Sequence, residues 1–357
     1  MSTPGQHMRA EMARQPEVIG AMAERRETLR ETVQELLPPR LRGVVLVARG
    51  SSDNAALHAR YLIERHARVP VVLAAPSLQT RYGVVPDLED FLIVAVSQSG
   101  RTPEIVDAVE RMTAGSAQRP RTLAITNGAD SPLAAACDVT IALEAGEERA
   151  VPATVTFTAQ VAALAVVAEA LGSRDGSDVP GLTAADWSDA VAATRTVLAD
   201  ETGPSACVPA LRAAKHVLPV ARGLLYAAAV ESGLKLAETT GLPVRGTSSA
   251  DLQHGPIATA QEGTVALCFT TQGPTADDMR EIAGLLRDRG ATVIGVGPAP
   301  LLEDLGVTRL DVPGTTSEDL AVLPSVIRGQ QLALAVSIAE GIDPDAPFAL
   351  SKVTATR

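Results

Sequence analysis

Short runs of consecutive apolar residues alternate with helical patterns along most of the chain. Runs such as GVVLVA and FLIVAV are apolar at every position, not at every second one. Strands buried on both faces have this pattern, and parallel sheets covered by helices are built from such strands. The pattern therefore predicts an α/β fold with a parallel sheet. The strands predicted in the first half are Gly43–Ala48, Val71–Ala74, Phe91–Val96, Thr122–Thr126 and Val139–Leu143.

Helical spacing predicts a leading helix at Glu17–Leu37, which ends before the Pro38-Pro39 pair. Three more helices are predicted at Ala55–Arg65, Pro103–Met112 and Val155–Leu171. The polar segment Gly172–Gly181 (GSRDGSDVPG) is rich in glycine and is predicted to be a linker between two halves.

The second half repeats features of the first. The tetrapeptide VARG occurs at Val47–Gly50 and again at Val220–Gly223, 173 residues later. At the same offset, Gly100 pairs with Gly273 and Thr102 pairs with Thr275. We infer an internal duplication that forms two tandem, doubly wound, flavodoxin-like α/β subdomains. The expected divisions are a helical segment (1–40), a phosphate-binding subdomain (41–172), a linker with helices (173–214), a second subdomain (215–341) and a tail (342–357).

Composition narrows the possible partners. The chain has 357 residues, 46% of them hydrophobic and only 2% aromatic, with a net charge of −11. An acidic chain with few aromatic residues and no basic stripe does not favour nucleic-acid binding. The N-terminus has no apolar core of the signal-peptide type, and the apolar stretch Phe157–Leu171 is too short to predict a membrane span.

The cysteines point to a reducing compartment. Cys137, Cys207 and Cys268 are odd in number and far apart, so they predict neither disulfides nor a zinc site. We therefore expect a cytoplasmic protein without a bound metal. No cofactor is expected either. The SQSGRT segment at Ser97–Thr102 is neither a Walker loop, which would need GK[ST], nor a GxGxxG motif.

The segment SQSGRT, which contains Ser97, Gln98, Ser99, Gly100 and Thr102, follows the predicted strand FLIVAV. Thr102, Pro103 and Glu104 have the types favoured at the N-cap and first turn of a helix. A helix N-terminus with short hydroxyl side chains and a glycine suits a phosphate group. The alternative is a well-capped turn that binds nothing.

A second loop, ARGSSDNA, follows the first predicted strand and contains Gly50, Ser51 and Ser52. Two such loops at the same edge of a parallel sheet would form one polar pocket. The corresponding loops of the second half have fewer hydroxyl groups, so one phosphate site per chain is expected, in the first half.

Only three of the 31 basic residues are lysines, namely Lys215, Lys235 and Lys352. Lysine forms imines and releases its proton, whereas arginine does neither. Each lysine is therefore a candidate for chemistry, with codon bias as the alternative explanation.

With these motifs, the chain resembles the sugar isomerase (SIS) domain family over nearly its whole length. It is most similar to the isomerase half of glutamine–fructose-6-phosphate aminotransferases and to stand-alone glucosamine-6-phosphate deaminases and fructosamine-6-phosphate deglycases of that family. The resemblance rests on SQSGRT, on ESGLKLAETTG (Glu231–Gly241), on DLQHGPIA (Asp251–Ala258) and on the tail FALSKVTATR.

The resemblance implies roles for individual residues. The SQSGRT loop with Ser52 would hold a substrate phosphate, and Val151 would lie at the sugar. Glu238 would move a proton between C1 and C2, with Lys235 beside it. Lys352 would form an imine, and His254 would assist ring opening from the partner subunit of a homodimer.

Each catalytic candidate has a simpler alternative. Glu231, Lys235 and Glu238 are spaced four and three apart, so they could be a solvated row of ion pairs. His254 could be an ordinary loop histidine, and Lys352 could belong to a disordered tail.

The chain also departs from the family pattern. Its relatives commonly have VASTK where this chain has VPATV, so Ala153 and Val155 replace a serine and a lysine. The SIS pattern starts within the first twenty residues, and Ser2 follows Met1, so no glutaminase domain is expected. The predicted function is a deaminase/isomerase of an aminosugar phosphate that has no cofactor. A fructosamine-6-phosphate deglycase and a non-catalytic sugar-phosphate-binding protein are the alternatives.

Overall fold

Ten strands form two parallel sheets in a computed structural model, which describes residues 3–173, 181–301, 303, 307–348 and 350–352. The strands of the first sheet are β1 Gly43–Val47, β2 Val71–Leu73, β3 Phe91–Ser97, β4 Arg121–Thr126 and β5 Val139–Ala142. Those of the second are β6 His216–Ala221, β7 Thr247–Ser248, β8 Thr264–Phe269, β9 Thr292–Gly297 and β10 Thr308–Asp311. The five strands predicted in the first half are confirmed, with small shifts at their ends.

The two sheets have the same strand order. The first runs β2-β1-β3-β4-β5 and the second runs β7-β6-β8-β9-β10, with every pairing parallel. This is the doubly wound, flavodoxin-like order that the sequence predicts. The repetition of the whole order agrees with an internal duplication.

Helices flank the sheets. In chain order they are α1 Gln6–Ala13, α2 Gln15–Leu36, α3 Ser51–Ala67, α4 Ser77–Thr80, α5 Pro103–Gly115, α6 Pro132–Ala136, α7 Val155–Gly172, α8 Ala184–Ala199, α9 Thr202–Arg212, α10 Tyr226–Thr240, α11 Ser249–Gln253, α12 Ala276–Asp288 and α13 Val322–Ala339. The helices α5 and α12 lie 173 residues apart at both ends, which is the offset found in the sequence.

The chain divides into two compact units that interleave along the sequence. One unit contains the described residues of 1–17, 148–154 and 184–352, and the other contains those of 18–147 and 155–183. In the unit that contains the first sheet, α3 packs against α7, while α5 covers the opposite face of the sheet through Ile105, Val109 and Met112. In the unit that contains the second sheet, α10 packs against α13, and α12 covers the other face of the sheet.

Two element boundaries differ from the prediction. The helix α3 begins at Ser51, four residues before the predicted start at Ala55, because Gly50 turns the chain with φ +59° three residues after the end of β1. The segment before the predicted leading helix is itself helical and forms α1. Most of the predicted linker at Gly172–Gly181 lies outside the described residues, as does the end of the tail after Lys352.

The helix α7 extends the predicted helix Val155–Leu171 by one residue and is longer than the apolar stretch Phe157–Leu171. It has 18 residues, so its length and composition, like those of the segment Glu318–Ala339, would allow it to cross a membrane. However, α7 is completely buried inside the structure, and 89% of the apolar window of Glu318–Ala339 is buried. Both segments pack as core helices of this fold.

The carboxyl group of Glu169 is the one ionisable side chain within α7. Burial raises its pKa to about 7, although Arg30, a backbone N–H of Leu182 and Arg26 act in the opposite direction. Because the folded chain holds this proton more tightly than the unfolded chain does, stability falls as the pH rises from the unfolded pKa, near 4.5, through about 7.

Replacing Glu169 by Gln should remove this pH dependence. At pH 8 we expect the variant to be about 3 kcal/mol more stable than the wild type, and the gain should shrink towards pH 4.5. Urea unfolding of both proteins across this pH range measures the difference. A gain that is constant with pH would contradict a raised pKa at Glu169.

Candidate functional site

The SQSGRT segment lies where β3 ends and α5 begins, as predicted. Thr102 has the extended backbone of an N-cap residue, but its side chain forms no capping hydrogen bond. Its Oγ1 lies 3.5 Å from Ser97 Oγ instead. Two hydroxyl groups therefore stand together beside the N-terminus of a 13-residue helix, whose first N–H groups and dipole favour an anion.

Hydrogen bonds within the loop set its shape. Ser97 Oγ accepts a bond from the N–H of Gly100 (3.1 Å), and Ser99 Oγ accepts one from the N–H of Arg101 (3.2 Å). A hydroxyl oxygen that accepts a bond in this way can still donate its own proton. The carbonyl of Gln98 accepts a bond from Asn127 (3.1 Å), which fastens the loop to the end of β4.

Gly100 is required by its surroundings. Its φ is +64°, and a Cβ added there would lie 2.0 Å from Ser131 Oγ. Any other residue would therefore strain the backbone and collide with Ser131.

The second predicted loop lies on the neighbouring strand. β1 pairs with β3, with Val47 opposite Ala95, and α3 starts at Ser51 directly after Gly50. Ser51 is half-buried and Ser52 is buried. The chain leaves β1 and β3 towards opposite sides of the sheet, so both loops lie at the topological switch point where α/β proteins bind ligands.

An ion pair that the sequence reasoning missed joins these two loops. Arg49 Nε and Nη2 lie 3.1 and 3.4 Å from the two carboxylate oxygens of Glu104 in the first turn of α5. Glu104 is buried, and a two-point arginine–carboxylate contact fixes geometry well. The signal in the sequence was the repeated VARG, since Arg222 in the second half also faces a carboxylate, that of Asp278 at 3.7 Å, one residue after the position that corresponds to Glu104.

The second copy of the SQSGRT loop has a carboxylate close to it. A Cβ added to Gly273 would lie 2.8 Å from the carboxyl carbon of Glu318. A negative charge at this position opposes anion binding. The second copy is therefore less suited to an anion than the SQSGRT loop.

Three charged residues form a row on α10. Lys235 Nζ lies 2.6 Å from Glu238 Oε2 and 3.4 Å from Glu231 Oε1. Lys235 and Glu231 have no exposed surface, whereas 24% of the Glu238 side chain is exposed. The row is therefore buried at one end and open to solvent at Glu238. The alternative of a fully solvated row of ion pairs is wrong.

Neighbouring carboxylates determine the protonation state of Lys235. Burial by itself would lower its pKa, but the carboxylates of Glu231, Glu238 and Glu148 outweigh burial and raise the pKa above its ordinary value. Lys235 is therefore an ammonium group at neutral pH, held against Glu238.

Close helix packing explains why the row is buried. α10 lies against β6 and α13, and Gly329 of α13 faces Ser232 of α10. A Cβ added to Gly329 would lie 1.9 Å from Ser232 Oγ, so only glycine permits this approach.

The tail lysine has a buried partner that the sequence reasoning did not identify. Lys352 Nζ lies 2.6 Å from Oε2 of Glu148, and the Glu148 side chain has no exposed surface. The other oxygen, Oε1, accepts a bond from the N–H of Thr154 (2.9 Å). Because Glu148 also acts on the pKa of Lys235, one carboxylate influences both candidate lysines.

The turn at 148–154, which contains Val151, is held from both ends of the chain. Glu11 of α1 accepts bonds from the N–H groups of Arg149 (2.5 Å) and Ala150 (3.2 Å). The carbonyl of Asp345 accepts a bond from Val151 (3.2 Å), while its carboxylate accepts bonds from His7 and Met8 in α1. The N-terminal helix and the tail thus support the turn on which Glu148 lies.

The last of the catalytic candidates is His254. It is exposed after the last residue of α11 and lines a cleft of about 220 Å³. The cleft is lined by Arg222, Ser249, Ala250, Gln253, His254, Asp278 and Glu281. Among the described residues, those that line it do not include Glu231, Lys235, Glu238 or Lys352.

Metal and thiol chemistry receive no support from the described residues. They contain no group of three or more His, Cys, Asp or Glu side chains that could hold a metal. Burial raises the pKa of Cys137 and Cys268 to about 12 and that of Cys207 to about 11, so these thiols are not thiolate nucleophiles at neutral pH.

The candidate residues separate by unit. The unit built on the first sheet carries the phosphate candidates Gly50, Ser51, Ser52, Ser97, Gln98, Ser99, Gly100 and Thr102. The unit built on the second sheet carries Val151, Lys235, Glu238, His254 and Lys352. The remaining lysine, Lys215, is exposed, as expected for a surface residue.

Comparison with known proteins gives consistent matches. The family model described as SIS domain matches residues 41–170 and 210–297. The chain is 32% identical over 370 positions to glutamine–fructose-6-phosphate aminotransferase (isomerizing) of Pyrobaculum aerophilum, covering 99% of this chain and 58% of that protein. It spans about half the length of the curated relatives that it matches.

Two solved structures have closely similar folds. The tagatose-6-phosphate ketose/aldose isomerase of Escherichia coli superimposes with a TM-score of 0.81 at 22% identity, covering 98% of both chains. The glucosamine-6-phosphate deaminase of Thermotoga maritima superimposes with a TM-score of 0.72 at 21% identity, covering 94% of this chain and 99% of that one. At these identities the likeness shows the fold.

Proposed function

The chain belongs to the SIS domain family, and we propose that it is an aminosugar-phosphate deaminase/isomerase. The reaction converts a 2-amino-2-deoxyaldose 6-phosphate, such as glucosamine 6-phosphate, and water into a ketose 6-phosphate and ammonia. The observation that carries the proposal is the pair of lysine–carboxylate contacts. In these contacts the ammonium group of Lys235 lies against the partly exposed Glu238, and Lys352 lies against the buried Glu148.

Phosphate binding is assigned to the two loops after β1 and β3. The N-termini of α3 and α5 supply N–H groups, and Ser52, Ser97, Ser99 and Thr102 supply hydroxyl donors. The Arg49–Glu104 ion pair keeps the two loops in register without using the arginine charge on the ligand. A sugar monophosphate suits such a site, which contains no lysine.

Proton transfer is assigned to Glu238. In the open-chain aminosugar, a carboxylate base removes the C2 proton and returns it to C1, which leaves an imine at C2 and a hydroxyl group at C1. Glu238 is the one carboxylate of the α10 row with exposed surface, and Lys235 holds its position from the buried side.

Imine exchange is assigned to Lys352. Its neutral amine adds to the C2 imine, ammonia leaves, and the sugar is then bound to Lys352 through a C=N bond. Water adds to this bond, Lys352 leaves, and the ketose 6-phosphate is released. Glu148, 2.6 Å from Lys352 Nζ, is placed to take the proton that the ammonium form must lose.

We also propose that the active form is a homodimer in which His254 serves the partner's site. His254 is exposed and lines a cleft that its own lysine–carboxylate row does not line. A histidine that assists ring opening must reach the sugar oxygen, so a second copy would have to supply it.

Incubation with a panel of hexosamine 6-phosphates tests the reaction. We expect ammonia and ketose 6-phosphate in equal amounts, and borohydride added during turnover should attach one sugar phosphate to Lys352. Lys352→Met should abolish this attachment, whereas Lys215→Met, the change of an exposed lysine, should not. No ammonia from any member of the panel would reject the deaminase, and a free amino acid from fructosamine-6-phosphate conjugates would establish a deglycase.

A further inference from the structure

Gln160 lies in the middle of α7, where every residue is buried. The neighbouring positions are occupied by Ala159 and Val161, and Gln160 itself is 1% exposed. A buried amide costs free energy unless it forms hydrogen bonds. The position therefore needs an explanation that the packing of α7 does not supply.

The amide of Gln160 has one specific partner. Its Nε2 donates a hydrogen bond to Ser52 Oγ at 3.0 Å, across the contact between α7 and α3. Within the described part of the chain, its Oε1 has no hydrogen-bond partner. The hydrogen bond to Ser52 thus replaces a hydrogen bond that the amide would otherwise form with water.

This contact determines what the Ser52 hydroxyl can do. A hydroxyl group has one proton and two lone pairs, and Gln160 occupies a lone pair with an N–H group. The proton of Ser52 must then point elsewhere, and it forms no other hydrogen bond within the described residues. Ser52 lies in the first turn of α3, at the same sheet edge as the SQSGRT loop.

We propose that Gln160 is a positioning residue that directs the hydroxyl proton of Ser52 towards the phosphate group of the substrate. The inference rests on the proposed phosphate site, and it adds a residue outside both loops to that site. An amide suits this position because its N–H group can only donate, so Ser52 cannot turn its own proton back towards that nitrogen.

Binding of inorganic phosphate, measured by calorimetry, tests the proposal without any assumption about the sugar. We expect Gln160→Met, which keeps the length of the side chain and suits the apolar helix, to weaken phosphate binding about tenfold. In turnover, KM should rise with little change in kcat. Thr194→Val, which likewise removes a buried polar group from a helix, should leave binding unchanged, because Thr194 Oγ1 donates to the carbonyl of Ala190 within α8.

A double-mutant cycle separates positioning from a general effect on the fold. In a Ser52→Ala background, Gln160→Met should cause no further loss, because the hydroxyl that it orients is gone. Equal losses in both backgrounds, or no loss in the wild-type background, would overturn the proposal. Should the Met variant not fold, Gln160→Leu gives the same comparison.

A different set of binding results is expected if the proposed phosphate site is wrong. In that case neither wild-type protein nor Ser52→Ala binds phosphate, which overturns both ideas together. Loss of binding in Ser52→Ala with normal binding in Gln160→Met overturns only the role of Gln160.

Discussion

Glu238→Gln is expected to lower turnover of the aminosugar phosphate by about 10²- to 10⁴-fold, the usual contribution of a positioned general base. The amide keeps the shape of the side chain and can still accept a hydrogen bond from Lys235, so the fold should survive. Because the proposed phosphate site does not include Glu238, KM should change little. Steady-state kinetics with ammonia detection measure both quantities.

The matched comparison for this change is Glu231→Gln. Glu231 contacts the same lysine from the same helix, but it has no exposed surface and cannot touch a substrate. We expect a smaller loss of turnover than for Glu238→Gln. Activity retained in Glu238→Gln would remove Glu238 from the role of base, whatever the Glu231 variant does.

Mixing inactive variants tests whether the site is shared between subunits. Glu238→Gln and His254→Asn homodimers should each be almost inactive. Co-expressed in equal amounts, they should recover about a quarter of wild-type activity, since half of the dimers are mixed and each mixed dimer has one intact site. No recovery would place His254 and Glu238 in the same subunit's site or outside any site.

Lys235→Met should destabilise the fold by about 3–5 kcal/mol, because it leaves buried carboxylates without their counter-charge. Glu231 is completely buried and Glu238 mostly so, and both act on Lys235 together with Glu148. The loss should be visible in urea unfolding at neutral pH. In the wild type, the raised pKa of Lys235 makes its stabilising contribution complete below pH 10.5, and it is lost only as the pH rises through the still higher folded value.

A second substitution should recover part of this loss. In the pair Lys235→Met with Glu231→Gln, the more deeply buried of the two carboxylates that contact Lys235 becomes neutral, so the double variant should be more stable than Lys235→Met alone. A Lys235→Met protein as stable as the wild type would show that the buried row contributes nothing to folding. Lys215→Met, at an exposed lysine, is the control and should change stability little.

Local patterns in the sequence were sufficient for most elements and for the position of the SQSGRT loop. Apolar runs predicted the five strands of the first sheet, and Thr102 and Pro103 predicted the start of α5, because strand burial and helix capping depend on neighbouring residues. The 173-residue repeat predicted two similar subdomains, and both sheets have the same strand order. The start of α3 was misplaced because Ser51, Ser52 and Asp53 were interpreted as loop residues.

Contacts between distant parts of the chain could not be predicted in this way. Glu148 and Lys352 are 204 residues apart, and Ser52 and Gln160 are 108 apart, so no local period connects them. The sequence showed Glu231, Lys235 and Glu238 on one face of a helix, but their burial depends on how closely α13 approaches α10 at Gly329.

The sequence by itself determined the fold class, the duplication, the place of the SQSGRT loop and the small set of lysines available for chemistry. These follow from periodicity, capping and residue type, which act over a few positions. The tertiary structure decided which charges are buried and which side chains meet. Lys235 is held between carboxylates, Lys352 contacts Glu148, and Gln160 donates a hydrogen bond to Ser52, because desolvation and hydrogen bonding depend on packing between elements far apart in the chain.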